Sequence, residues 1–421
     1  MEEDKEKNGG YESENNALVG LVRSKFQEAE TAKVYDEKRW LQSYRNYRGL
    51  YGPEMAFRDN EKSRVFVKIT KTKVLASFGQ IIEVLFSQGK FPLGISPTSV
   101  TEGIVEKAHL KNKQEQQMEQ PQDPYGFPGD NKEIPPGTTA TELMRDLAQE
   151  YQNLGFEEGP SYTGTPEIEP AQLAADAMQK LIHDQLEESK AITVLRHVFF
   201  EMALLGTGIL KGPFTDAKTY NSYDTSEDEE GNMAKVQISK TKSVPSIEAV
   251  SCWDFYPDPN ATNIQDCDYV IQRHSFNKQQ LQDLTEKPMF NKQAIEECLE
   301  TGPNYQTRGF ESSLYDRENV TSIYKNRFEV LEYWGVVNKD LANQCGIETD
   351  NEIININAWI CGNKVLRMVE NPFTPTRIPF TVCPYELNPY QFFGIGVAEN
   401  MEDSQQIMNG HARMAIDNLA L

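Results

Sequence analysis

The stretch Asn371-Pro-Phe-Thr-Pro-Thr-Arg-Ile-Pro-Phe380, continued by Phe392-Phe-Gly-Ile-Gly-Val-Ala-Glu-Asn400 and Asp403-Ser-Gln-Gln-Ile-Met-Asn409, decides how the chain is read. It carries Pro372, Pro375, Pro379, Pro384 and Pro389. Each proline fixes φ and lacks an N–H, so an extended, locally rigid arm on the outside of a sheet is expected. The aromatic cluster Tyr390, Phe392 and Phe393 follows, then Gly394-Ile395-Gly396, which reads as a hinge. From Val397 a helical period begins, with Met401, Met408, Ala412, Ala415 and Leu419 at three- to four-residue steps. No C-cap glycine or breaker closes it, so the helix is expected to run on past Leu421.

Upstream, residues 1–16 are polar and read as a disordered tail. Residues 17–51 form a helical pattern through Leu18, Val22, Phe26, Trp40, Tyr44 and Tyr47, ended by Gly52-Pro53. A second helix is expected over 62–88, with Val74, Phe78, Ile81 and Leu85 on its apolar face and Lys68, Lys71 and Lys73 as a basic patch. Residues 98–169, rich in Gln, Pro and Gly, read as a flexible insertion. A third long helix is expected over 170–205, opened by Pro170. The period then changes to that of strands, with an acidic loop at 220–233 and a hairpin turning at Cys361-Gly362-Asn363. The fold class is therefore α+β: long helices plus a mixed sheet, leading into a long helix.

The chain has 421 residues, 38% hydrophobic and 25% charged, with a net charge of −22. That acidity keeps a protein soluble and argues against nonspecific adhesion to nucleic acid through a basic face. Six cysteines, all after residue 250, form no C-x-x-C pair and suit a reducing compartment. The start MEEDKEKNGG is too charged for a secretory signal, and no apolar run is long enough for a membrane span.

No recognisable chemistry emerges. Gly394-x-Gly396 is half a dinucleotide fingerprint, with Glu399 where the third glycine belongs. No phosphate-binding G-x-x-x-x-G-K-[ST] occurs. The oxygen-rich run from Asp258 to Asp266 lacks the glycine and closing glutamate of a calcium loop, so a structural turn is expected. His183 and His197 are too far apart to form a metal pair. No catalytic, cofactor-binding or metal residue is assigned.

The proline arm, the Phe392–Asn400 segment and Asp403–Asn409 together resemble the approach to the stem helix in portal proteins of tailed bacteriophages, closest to the large portals of short-tailed phages. The Trp253–Pro259 turn followed by Asp268-Tyr269-Val270 is similar to their wing sheet. The likeness covers roughly residues 17–97 and 170–421. It implies a portal-type wing over 17–97 and 170–390, and a hinge with the start of the stem helix over 391–421. The clip, second stem helix, tunnel loop and crown of such proteins have no counterpart in the sequence.

The resemblance implies a closed ring, usually of twelve subunits, at one capsid vertex. Double-stranded DNA passes through it without sequence specificity. Terminase, tail adaptors, the major capsid protein and scaffold are its partners, and the virion, assembled in the host cytoplasm, is its location. In such a ring Val397, Met401, Met408, Ala412 and Ala415 would pack stem helices side by side, and Glu399, Glu402, Asp403 and Asp417 would face the channel. Another virion structural protein, such as a tail adaptor, shares this composition. A soluble α+β enzyme with a spatially assembled site is the remaining alternative.

Overall fold

The computed structural model describes residues 3–53, 55–58, 61–86, 91–96, 170–227, 233–315, 326–347, 349–374 and 378–419. The insertion expected over 98–169 lies outside them. The chain divides into two units, residues 1–92 with 184–421, and residues 93–183. In the second unit the Ile95 N–H donates to Gln179 Oε1 at 3.1 Å. The sheets belong to the first.

Helix α1 spans Glu3–Arg48 and ends at Gly49, whose φ of +79° closes it. It therefore begins inside the segment expected to be disordered. Extending a helix by one residue from an anchored turn costs far less than nucleating one. Helix α2 runs over Ile69–Phe86, seven residues later than expected from residue 62. The expected 170–205 helix is two, α3 (Pro170–Glu188) and α4 (Ala191–Leu205). They part at Lys190, which adopts a left-handed φ of 54°, while Ser189 Oγ bonds back to Leu186 O. A serine capturing a carbonyl one turn back competes with helix continuation.

Strands β1 (Thr207–Glu227) and β2 (Met233–Val250) pair along their length. Most of the expected acidic loop at 220–233 is thus strand. The next elements are β3 (Phe255–Pro257), β4 (Tyr269–Phe276), α5 (Lys278–Asp283), α6 (Lys292–Thr301), α7 (Gly309–Tyr315) and β5 (Phe328–Asn338). Then follow α8 (Lys339–Gln344), β6 (Ile353–Cys361), β7 (Lys364–Glu370), β8 (Phe380–Pro384), α9 (Val397–Asn400) and α10 (Glu402–Leu419). The hairpin at Gly362-Asn363 is where the sequence puts it.

One sheet has the order β2-β1-β8 and the other β3-β4-β5-β6-β7. Every pairing among the described strands is antiparallel, where a mixed sheet was expected. The proline arm supplies β8, an edge strand whose Pro384 sits opposite Thr207, as a residue without N–H requires.

Side chains of the five-stranded sheet alternate between two cores. Leu331, Tyr333, Ile356, Ala358 and Ile360 meet Leu18, Val22 and Phe26 of α1. Val330, Cys361 and Leu366 face Leu281 and Ile295 from α5 and α6. A third core gathers Trp40, Val74, Leu204, Ile209, Trp253, Phe255, Phe393 and Ala398. The two sheets are tied by a buried ion pair. Lys211 Nζ of β1 lies 2.5 Å from Glu332 Oε2 of β5, which also meets His274 Nε2 at 2.7 Å. Trp334 Nε1 donates to the other carboxylate oxygen at 2.8 Å. No helix among the described residues is long and apolar enough to cross a membrane.

Candidate functional site: the final helix and its seat

The helix at the chain's end is approached through a glycine-on-glycine contact. Gly206 terminates α4 with φ +96°, and its N–H donates to Met202 O at 3.0 Å. A Cβ there would fall 2.5 Å from Gly394 O, and one on Gly396 would fall 2.7 Å from Gly206 N. The Gly394 N–H donates to Thr207 Oγ1 at 2.9 Å, the Tyr385 N–H to Gly206 O at 2.8 Å, and the Ile395 N–H to Glu386 O at 3.0 Å. Gly394 and Gly396 are therefore not a free hinge: they are glycines because two backbones touch, and these three bonds pin the segment around them. Phe393 packs edge-on against Trp40 with ring centroids 4.8 Å apart.

The helical run from Val397 is broken once, at Met401, between α9 and α10. Glu399 on α9 receives both its contacts from Arg39 Nη1 of α1, at 3.0 Å to each oxygen. Burial disfavours the Arg39 charge, but Asp36 and Glu399 outweigh it and hold its pKa above the ordinary value. Asn400 Nδ2 donates to Glu386 Oε2 at 2.7 Å.

Helix α10 is seated by polar side chains. Its buried residues are Gln405, Asn409 and Arg413, at i, i+4 and i+8. Gln405 Oε1 accepts from Thr70 N at 3.0 Å and Thr70 Oγ1 at 2.9 Å, and its Nε2 donates to Val67 O. Asn409 Oδ1 accepts from Val67 N at 2.8 Å, and Asp417 Oδ1 from Ser63 N at 2.8 Å. Arg413 Nη1 donates to Tyr51 Oη at 2.8 Å, with its guanidinium over the rings of Tyr51 and Phe57. One face of α10 thus reads the backbone of the extended segment before α2. The bonds from Val67 N and Thr70 N satisfy N–H groups around the start of α2 that have no partner within that helix.

The apolar residues of α10 are left outside. Met408, Met414, Ile407, Ile416 and Leu419 are all exposed, Ile407 at 60% and Leu419 at 87%. At about 100° per residue, Met401, Met408, Ala412, Ala415 and Leu419 form one stripe about a quarter turn from the seated face. Of the five expected packing residues, Met408 and Ala415 are exposed, and Val397, Met401 and Ala412 are half-buried.

The four expected channel carboxylates separate. Glu399 is paired with Arg39, and Asp417 accepts from Ser63 N, within the chain. Glu402 is half-buried and accepts from Gln406 Nε2 at 3.3 Å. Burial, with Asp403 and Glu399 nearby, raises its pKa. Asp403 alone is exposed. The sequence reading missed Gln405, Asn409 and Arg413 altogether, because a search for apolar periodicity passes over a polar stripe. Their own four-residue spacing was the available signal.

Elsewhere, Asp258 Oδ1 accepts from Asn260 N at 3.0 Å, a structural turn as expected. A cavity of about 730 Å³ beside α1 is lined by Arg23, Glu30, Arg308 and Glu329 among others. Its charges are already paired, Arg308 with both Glu30 and Glu329, and Arg23 with Gly362 O. Among the described residues no three His, Cys, Asp or Glu side chains are grouped to hold a metal ion.

The family model described as phage SU10 portal protein matches residues 157–421. No curated protein matches the chain.

Proposed function

Because the chain belongs to the phage SU10 portal protein family, we propose that it builds a closed ring at one capsid vertex, through which double-stranded DNA is packaged and ejected. Portal proteins of phages are structural components of the virion, at the connection of head and tail. The ring, of about twelve subunits by family likeness, would serve as platform for terminase and tail adaptors and would sit among major capsid protein and scaffold. Its role is geometric rather than catalytic.

The observation that carries this reading is the orientation of α10. A helix that fixes its polar stripe to its own subunit and turns methionines, isoleucine and leucine outward is built to be covered by something else. In a ring, rotation brings the same helix of the next subunit alongside, closing each head-to-tail contact in turn. Burying one methionine there contributes about 2 kcal/mol, repeated at every interface. Residues 17–97 and 170–390 act as the wing, and 391–421 as the hinge and start of the stem. Asp403 is the carboxylate on this helix left to face the channel, where negative charge repels phosphate and lets DNA slide.

Substituting Met408→Glu together with Ala415→Glu tests the reading. Both sites are exposed in the subunit, so its thermal unfolding should be unchanged, while ring formation in the presence of scaffold should be lost. Assembly indistinguishable from wild type would overturn the assignment of this stripe.

A further inference from the structure

Strands β1 and β2 pair far beyond the point where anything else supports them. Their register is continuous from Phe214 with Ser246 to Glu227 with Met233, whereas β8 pairs with β1 only as far as Lys211. At about 3.3 Å per residue the two-stranded part extends about 40 Å. Over residues 219–223 and 239–243 every side chain is exposed except half-buried Ser222. At its base Phe214 packs on the third core and Val244 is buried, but over 219–223 and 239–243 neither face is covered. Both edges carry unpaired backbone groups, and a lone two-stranded ribbon is marginally stable in water.

The ribbon's composition points to a partner. In a chain of net charge −22 its paired residues carry Lys218, Lys235, Lys240 and Lys242 against Asp216, Asp224 and Glu227, with Lys218 and Lys242 directly opposite in register. Like charges opposed across a ladder destabilise it unless an anionic surface covers them. Lys242 already shows the preference, pairing with Glu188 of α3. Two tyrosines stand out beside them, Tyr220 at 49% and Tyr223 at 70% exposure. A tyrosine offers a large apolar ring with a polar tip, the common anchor of protein interfaces. Just beyond them the sequence turns acidic: Asp224, Glu227, Asp228, Glu229 and Glu230. Duplex DNA, negative along its whole length, would meet that run as well as the lysines. A protein surface can change sign over the few Debye lengths between them.

We propose that this ribbon is an inter-subunit arm whose lysines and tyrosines dock on an acidic surface of a neighbouring copy of the chain. The inference rests on the ring reading above. The test is the full-length variant Tyr220→Ala, Tyr223→Ala, Lys240→Glu, none of which touches a core. Mass photometry would compare its ring fraction with wild type over a concentration series, alongside thermal unfolding and gel-shift of a duplex DNA fragment. The expected result is unchanged unfolding and about a tenfold higher concentration for half-assembly. Equal assembly overturns the arm while leaving the ring intact. Equal assembly with lost DNA binding overturns it in favour of nucleic acid. A wild type that stays monomeric even with scaffold overturns the ring reading and the arm with it.

Discussion

Glu332 is the residue on which the joint between the two sheets turns. Burial by itself would raise its carboxyl group, but the Lys211 ammonium and His274 overcome that and hold it down at about 2. The folded pKa is below the unfolded one, so its contribution is complete above about pH 4.5 and is lost as pH falls toward 2. The size of the shift corresponds to about 3 kcal/mol. Glu201 and Asp254, both raised by burial, act in the opposite sense in the same acid range. Comparison of wild type with Glu332→Gln therefore isolates this carboxylate. In urea titrations the variant should be about 3 kcal/mol less stable at pH 7, since buried Lys211 then keeps only the more distant carboxylate of Glu248, 3.9 Å away. The gap should narrow as pH is lowered from 5 to 2. A gap that stays constant with pH would show that Glu332 is not ionised in the fold.

At the scale of elements, the seat of α10 decides the conformation of residues far from it in sequence. Gln405, Asn409 and Asp417 hold backbone N–H groups of Thr70, Val67 and Ser63. Replacing Gln405 by Leu leaves a buried donor unpaired, which costs about 1–3 kcal/mol. The extended segment carries Arg58, Lys62, Arg64 and Lys68. Gln405→Leu and Asn409→Leu should therefore speed tryptic cleavage at these four sites more than cleavage elsewhere. Cleavage at the wild-type rate would show that the segment is held by other contacts.

This element also marks what sequence alone reveals. Helix α1, the hairpin at Gly362 and the edge placement of the proline strand were legible, because apolar period, turn residues and missing N–H groups are local signals. The breaks at Lys190 and Met401 were not, since helix-forming residues flank both. Nor was the reason for Gly394 and Gly396: the backbone they must admit, Gly206, lies almost two hundred residues earlier. For the candidate site, the apolar stripe was legible from its period, while the polar stripe of Gln405, Asn409 and Arg413 that seats the helix was not. Two of the four acidic residues proved to be internal ties, because Arg39 and Ser63 come from the other end of the chain.

For the molecule as a whole, the described residues leave the outer side of α10 and the ribbon of β1 and β2 uncovered, beside scattered exposed apolar side chains such as Val84, Met289 and Leu387. The first is apolar, and the second carries lysines and exposed tyrosines, in a chain that is strongly acidic overall. Two distinct unfinished surfaces suit a head-to-tail contact, in which each subunit gives one kind of surface and receives another. Ring closure should then depend on salt through the arm and much less through the helix stripe.

The central claim is the ring, and electron-microscope images of the purified full-length protein, with scaffold supplied, test it most directly. The expected result is closed rings with a central opening wide enough for duplex DNA and α10 lining or flanking that opening. Single subunits, or open chains without a channel, under the same conditions would contradict it.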